Sequence, residues 1–169
     1  EGWKIANTTL KHERNMLASG AQLEAALLGL VALMRQEQVD GRRAIDSPLL
    51  RDRLLQLQAR VFALQHHSLR LLSARVKGER SGTAGLVTKL FGCELSHQIA
   101  ALALDSMGEL GLLYEGSPYE RMGGRWQFLH MFSLGLIIGG GTAQIQKNII
   151  SERGLGMPRE ARPGEATGA

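Results

Sequence analysis

Apolar residues recur along most of this chain in steps of three and four, the spacing that gathers them on one face of an α-helix. The clearest stripe is Leu50, Leu54, Leu57, Val61, Leu64, Ser68 and Leu71, preceded by Ser47 as N-cap and by Pro48 at the first helical position. A second stripe, Leu86, Leu90, Cys93, His97, Ala100, Leu104 and Met107, follows a loop from Lys77 to Thr83 and is expected to end near Gly111. Before these, a helix is expected from about Thr9 to Glu37. After them, Leu112 to Arg125 reads as a loop containing Gly116, Pro118, Gly123 and Gly124, and a helix follows over Trp126 to Ile138. Three consecutive glycines, Gly139, Gly140 and Gly141, then halt the apolar run. Glycine loses the most backbone entropy in a helix, so such a run ends one. Thr142 is the natural N-cap of a restart that runs to about Arg153 and stops at Gly154-Leu155-Gly156, with Pro158 just beyond.

These elements predict an all-α fold over residues 1–158, an antiparallel four-helix bundle with its last helix interrupted at the glycine run. The tail, Arg159 to Ala169, is polar and rich in Gly, Pro and Ala, and is expected to be disordered. A length of 169 residues suits one domain. With 44% hydrophobic and 21% charged residues the chain can bury a core, which excludes a disordered or fibrous class. The longest apolar runs, Ala25 to Met34 and Phe128 to Gly141, fall short of the roughly 20 residues of a membrane span, so none is expected. The opening Glu1-Gly2-Trp3 in place of a methionine suggests a fragment or a processed chain. A single cysteine, Cys93, excludes an internal disulfide and fits a reducing compartment, with a cytoplasmic location expected.

The net charge of +4 and a pI near 9.6 are compatible with an anionic ligand. Yet the basic residues are interleaved with acids, as in Arg51-Asp52-Arg53, and no aromatic stacking platform accompanies them. A nucleic-acid partner is therefore not expected. The glycine run lacks the Lys-Ser/Thr ending of a P-loop and follows an apolar helix instead of a strand. What it does offer is a helix start at Thr142 approached by residues without side chains, a setting that suits an anion or a polarised carbonyl. Glu94-Leu95-Ser96-His97 has the Glu-x-x-His spacing of di-iron bundles but no second copy, so His97 reads as a core histidine and no metal is expected. His66 and His67 are adjacent and point to different faces. Glu13 lies three residues after Leu10 and four before Leu17, on an apolar stripe and beside Arg14. It is either a surface-edge glutamate paired with arginine or a general base whose pKa is raised by desolvation.

Taken together, GWKIANTTLKHERNMLASG near the start and GGGTAQIQKNIISERGLGMPRE near the end resemble the carboxy-terminal helical domain of the acyl-CoA dehydrogenase family. The likeness covers Gly2 to Glu160. Family members carry an amino-terminal helical domain and a middle β-domain before this region, so the chain looks like the last part of an enzyme. The resemblance implies a flavin enzyme that binds FAD and an acyl-CoA thioester, removes the α-proton as a hydride leaves the β-carbon, and passes electrons to an electron-transfer flavoprotein or another acceptor. It also implies a homo- or hetero-oligomer, a dimer or tetramer.

In one branch of the family the base is a glutamate immediately before a Gly-Thr pair at the helix break, where this sequence has Gly140, then Gly141 and Thr142. In a second branch, similar to isovaleryl-CoA and long-chain acyl-CoA dehydrogenases, the base lies on the first helix directly before an arginine. Glu13 followed by Arg14 matches that position. The resemblance thus assigns Glu13 and the main-chain N–H of Gly140 to catalysis, and Lys11, His12, Arg14 and Gly141 to the substrate. Thr142, Gln144, Leu110 and Gly111 fall to FAD. Two family motifs are altered: where many members have Arg-x-x-Phe-Gly there is Glu37-Gln38-Val39-Asp40-Gly41, and Gln-x-Leu-Gly-Gly appears as Gly108-Glu109-Leu110-Gly111-Leu112. The alternatives left open are a non-catalytic subunit of a heteromeric dehydrogenase and a helical-bundle interaction module.

Overall fold

The structure is a computed structural model that describes residues 19–79 and 83–159 together with Gly2, Ile5, Ala6, Thr8 and Thr9. Ser19 opens helix α1 (Gly20–Gln36) in an extended conformation, accepting from the Gln22 N–H while the Gln22 side chain accepts from the Ser19 N–H. This reciprocal capping box satisfies two donors at the helix start. It also corrects the expectation of one helix from Thr9 to Glu37: Ser19-x-x-Gln22, read in sequence as helix interior, is a helix start, and the extended backbone at Ser19 interrupts the helix there. The tail expected from Arg159 onwards falls, apart from Arg159, outside the described residues.

A two-stranded hairpin, β1 (Gln38–Val39) and β2 (Arg42–Arg43), follows, turning at Asp40 and Gly41. Both turn residues have positive φ, 53° and 74°, the conformation that two-residue hairpin turns demand and that Asp-Gly tolerates. Helix α2 (Pro48–Val76) begins at Ser47-Pro48 as expected, and of its predicted seam Leu50, Leu54, Leu57, Val61 and Leu64 are buried while Ser68 and Leu71 are half-buried. Helix α3 (Ala84–Met107) packs on α1, α2 and α4 (Arg125–Ile138) at once. A single stripe cannot describe a helix with neighbours on several sides. Leu90, Cys93, Ala100 and Met107 of the expected seam are buried, Leu86, His97 and Leu104 only half-buried, and Leu95, Ile99, Leu102 and Ala103 are buried in addition.

A 3-10 turn over Gly108–Leu112 leads to a loop and then α4, which stops at Gly139. Helix α5 (Ala143–Ile149) restarts after Thr142 and ends in a π-turn over Ile150–Gly154. The observed fold is the all-α bundle with an interrupted last helix. On length and composition alone, Met122–Gly154 would suffice to cross a membrane, which the count of uninterrupted apolar residues did not anticipate. The glycine break divides it, however, leaving α4 with 14 residues, about 21 Å of axis against roughly 30 Å of hydrocarbon. One face of α4 is nonetheless apolar and uncovered, with Phe128, Met131, Phe132 and Ile138 all more than half exposed.

Candidate active-site wall at the glycine break

Helix α4 closes with the Gly139 N–H donating to the Gly135 carbonyl at 2.8 Å. Gly140 and Gly141 then take φ values of 64° and 104°, a region where a Cβ crowds the neighbouring carbonyl, so a side chain is strained at Gly140 and more so at Gly141. Thr142 returns the chain to cap geometry, its hydroxyl accepting the Ile145 N–H at 3.4 Å and its carbonyl the Gln146 N–H at 2.9 Å.

Beneath the turn lie two buried polar side chains that sequence reasoning missed. Lys89, 1% exposed on α3, donates through Nζ to the Ile137 carbonyl at 2.9 Å and the Gly141 carbonyl at 2.7 Å. Gln146, fully buried on α5, donates through Nε2 to the Gly140 carbonyl at 2.9 Å and the Gly141 carbonyl at 3.4 Å. A cation is costly to bury unless its hydrogen bonds are met. Here main-chain oxygens meet them, one near the C-terminus of α4, where the helix dipole is negative. A turn further along α3, burial pushes the Cys93 thiol up from its usual range, with the Lys89 charge opposing the shift.

At the other end of α4, the His97 and His130 rings stack with centroids 4.5 Å apart. The Ser133 hydroxyl donates to the His130 carbonyl at 2.6 Å, so at 2.9 Å the same oxygen accepts from His97 Nδ1, which assigns the proton to that nitrogen. Burial first, and the facing His130 second, hold His97 below its usual range, against an opposing hydrogen bond with the His130 backbone. His130 Nδ1 is buried without a partner, and its ring lines a cavity of about 440 Å³ with Ala101, Leu104, Asp105, Gly108, Gly111 and Leu112. His97 therefore works within a histidine-serine network and not with Glu94. Among the described residues no cluster of three or more His, Cys, Asp or Glu could hold a metal. His66 and His67 diverge as expected, to the Phe62 and Ala84 carbonyls.

Of the residues implicated from sequence, Lys11, His12, Glu13 and Arg14 lie outside the described residues. Gly140, Gly141 and Thr142 come together in the break, with Gln144 exposed on the first turn of α5. Leu110 and Gly111 do not join them. They follow the far end of α3, about 27 Å of helix axis from Lys89. Gln127 Nε2 pins this turn to α4 through the Gly111 and Leu113 carbonyls at 3.2 and 2.7 Å. A Cβ at Gly111 would sit 2.6 Å from the Leu104 carbonyl oxygen, so close packing demands glycine there. At the altered motif, Glu37 is committed to Arg121, Nε to Oε1 at 2.8 Å, and Asp40-Gly41 form the hairpin turn.

The chain is thus an all-α bundle whose last helix breaks into an internally tied glycine turn and leaves one apolar face of α4 uncovered. The family model described as "Acyl-CoA dehydrogenase, C-terminal domain" matches residues 1–155, and the chain belongs to that family. It is 32% identical over 164 residues to the acyl-CoA dehydrogenase IpdE1 of Mycolicibacterium smegmatis, covering 96% of this chain and 38% of that protein. Among solved structures, the ChsE4-ChsE5 complex from Mycobacterium tuberculosis superposes with a TM-score of 0.77 at 30% identity, over 94% of this chain and 42% of that one. The Tcur3481-Tcur3483 steroid acyl-CoA dehydrogenase gives 0.79 at 26%, over 94% and 40%. The chain thus spans about two-fifths of the length of these relatives.

Proposed function

We propose that the chain is the C-terminal part of a flavin-dependent acyl-CoA dehydrogenase, a cytoplasmic enzyme that performs α,β-dehydrogenation of a bulky acyl-CoA thioester in a heteromeric assembly. The observation that carries the reading is the glycine break. It has no side chain between Gly139 and Gly141, has its carbonyls tied inward, and sits in a chain of this family with Glu13-Arg14 where one branch keeps its base. Glu13 removes the α-proton. The main-chain N–H at Gly140 donates to the thioester carbonyl and stabilises the enolate-like charge that develops there. Gly141 lies against substrate, and Lys11, His12 and Arg14 place CoA or orient Glu13.

The described residues fit one end of FAD better than the other. Thr142 and Gln144 stand at the break with polar groups available to a flavin ring. Where the family's arginine and phenylalanine would reach a cofactor, Glu37 is held by Arg121 and Asp40 is in a tight turn. When bound, FAD supplies the hydride acceptor. The cavity lined by Gly108, Gly111 and His130, whose Nδ1 is unpartnered, is the opening at which Gly111 could meet a cofactor, while Leu110 packs against the hydrophobic core. The altered motif supports a second reading, in which this subunit serves assembly while its partner binds flavin. Two structural relatives are two-component assemblies by name, ChsE4-ChsE5 and Tcur3481-Tcur3483, the latter a steroid enzyme. They support a hetero-oligomer and a bulky substrate, to which a break without side chains leaves room.

A substrate panel on the full-length protein, expressed with and without a second acyl-CoA dehydrogenase subunit, tests this reading. Anaerobic bleaching of the flavin should be fastest with thioesters of ring-bearing or branched acids. Equal or faster bleaching by short straight-chain thioesters would contradict the substrate assignment. Flavin retained only in the partner would favour the assembly reading.

A further inference from the structure

Three consecutive glycines form the most flexible main chain a sequence can encode, since each reaches both signs of φ without steric cost. A main-chain donor placed there stabilises developing charge only if it is already oriented, because reorienting it during reaction removes most of the benefit. The structure holds this run by its oxygens. The carbonyls of Ile137, Gly140 and Gly141 all turn towards the bundle interior, where Lys89 Nζ takes two of them and Gln146 Nε2 takes Gly140 and shares Gly141. A trans peptide is planar, so holding the Gly140 and Gly141 carbonyls fixes the direction of the Gly141 and Thr142 N–H groups, and with the Ile137 carbonyl held on the other side the Gly139–Gly140 peptide, which carries the Gly140 N–H, is bracketed between held peptides. Lys89 and Gln146 come from different helices, α3 and α5, and meet at the Gly141 oxygen. The clamp therefore spans both sides of the break.

Neither residue is explained by packing alone. Lys89 is the largest fully buried side chain among the described residues, and an apolar residue of similar volume would fill its site without burying a charge. Gln146 leaves its Oε1 buried and unpartnered, a cost accepted only if the Nε2 bonds matter. We infer that Lys89 and Gln146 are positioning residues that convert the flexible glycine run into a rigid main-chain donor platform for the thioester carbonyl. The rigidity rests on the geometry alone; the identity of the carbonyl rests on the acyl-CoA reading.

The test uses the full-length holoenzyme with Lys89→Met, Lys89→Arg and Gln146→Met, read in two ways. In the first, amide hydrogen exchange without substrate, Lys89→Met should speed exchange across residues 136–146 by about 10-fold or more, the order set by losing a hydrogen bond to a charged group. Exchange elsewhere should stay unchanged, and Lys89→Arg should restore part of the protection. In the second, the infrared stretch of a ¹³C-labelled carbonyl in a bound, non-reacting acyl-CoA thioester should lie lower in wild type than in solution. It should move back towards the solution value in Lys89→Met while acyl-CoA is still bound. If Lys89→Met does not accumulate as folded protein, Gln146→Met decides by the same two readings. Unchanged exchange across the break in a folded clamp variant would overturn the inference. A wild-type carbonyl that does not shift would instead refute the acyl-CoA reading, leaving the exchange result to judge the clamp.

Discussion

The glycine break and the Gln38–Arg43 hairpin are both tight turns at helix ends, and both stand where the family keeps functional motifs. They are built differently. The break has little side-chain material of its own and is held from below by buried donors, so its conformation is imposed by the bundle. The hairpin is held by its own turn chemistry and by exposed or partly exposed ion pairs, Arg43 with Asp46 at 2.7 Å and Arg121 with Glu37 at 2.8 Å. A site element whose main chain is tied into the core resists drift, whereas one resting on its own turn and on side-chain pairs, of which the exposed Arg43–Asp46 pair is worth little, can be exchanged for other chemistry. In the proposed reading, this contrast fits a chain with Gly141-Thr142 at the break and with Glu37 and Asp40 where many family members carry arginine and phenylalanine.

The largest effect that sharpens the comparison is expected at Gly141. With φ at 104°, Gly141→Val forces a β-branched residue into a disfavoured region, at a cost of about 1–3 kcal/mol, and moves the adjoining peptides. Flavin reduction in the full-length enzyme should fall at least about 10-fold, an order equivalent to 1.4 kcal/mol of lost transition-state stabilisation. Wild-type reduction would show that the geometry of the break does not matter. A smaller effect is expected at the hairpin. Restoring the family arginine by Glu37→Arg places a second cation against Arg121 and should lower the melting temperature, since the Glu37 side chain is only 12% exposed. Removing one partner of a charged hydrogen bond costs roughly 1–3 kcal/mol. Arg121→Glu in that background should recover most of the loss. A gain in flavin content from Glu37→Arg alone would break the comparison, because the hairpin would then be a dormant cofactor contact.

The smallest effect is pH-dependent. Because the fold holds His97 below the usual 6.5, its neutral form is favoured in the native state. The stability this contributes is complete above pH 6.5 and declines as pH falls through that value, where the unfolded chain takes up the proton first. His130 and Ser133 face His97 from α4, and Arg53, Arg60 and His97 line one cavity with α2. None of these groups is an anion that would reverse the sign. Thermal melts from pH 7.5 to 5 should show a modest fall that His97→Gln flattens; a rise on acidification would contradict the assignment.

Much of this architecture was legible in the sequence because it follows from periodicity and from caps. The α2 seam, the Ser47-Pro48 start, the end at Gly139 and the restart at Thr142 each rest on a residue pattern with a local cause. The α3 seam was half legible, since a helix packed on three neighbours has no single stripe. Ser19 was missed because a capping box inside an apolar run resembles helix interior. Lys89 and Gln146 were missed for a different reason. Their partners are main-chain oxygens, which leave no trace in a side-chain pattern, and the sole hint was a lone cation in the stretch Leu86 to Leu90. Glu13 was reached through family resemblance, and its position in the fold lies outside the described residues.

The measurement that bears most directly on the account is therefore the reductive half-reaction of full-length Glu13→Gln. The amide keeps the shape of the carboxylate and cannot accept the α-proton, so the variant should bind acyl-CoA and retain its yellow flavin while bleaching about 10²- to 10⁴-fold more slowly. Adding Gly140→Glu should recover part of the rate from the opposite wall, despite the strain of a side chain at φ 64°. A Glu13→Gln enzyme that bleaches its flavin at the wild-type rate would contradict the assignment of the base and return Glu13-Arg14 to a structural pair.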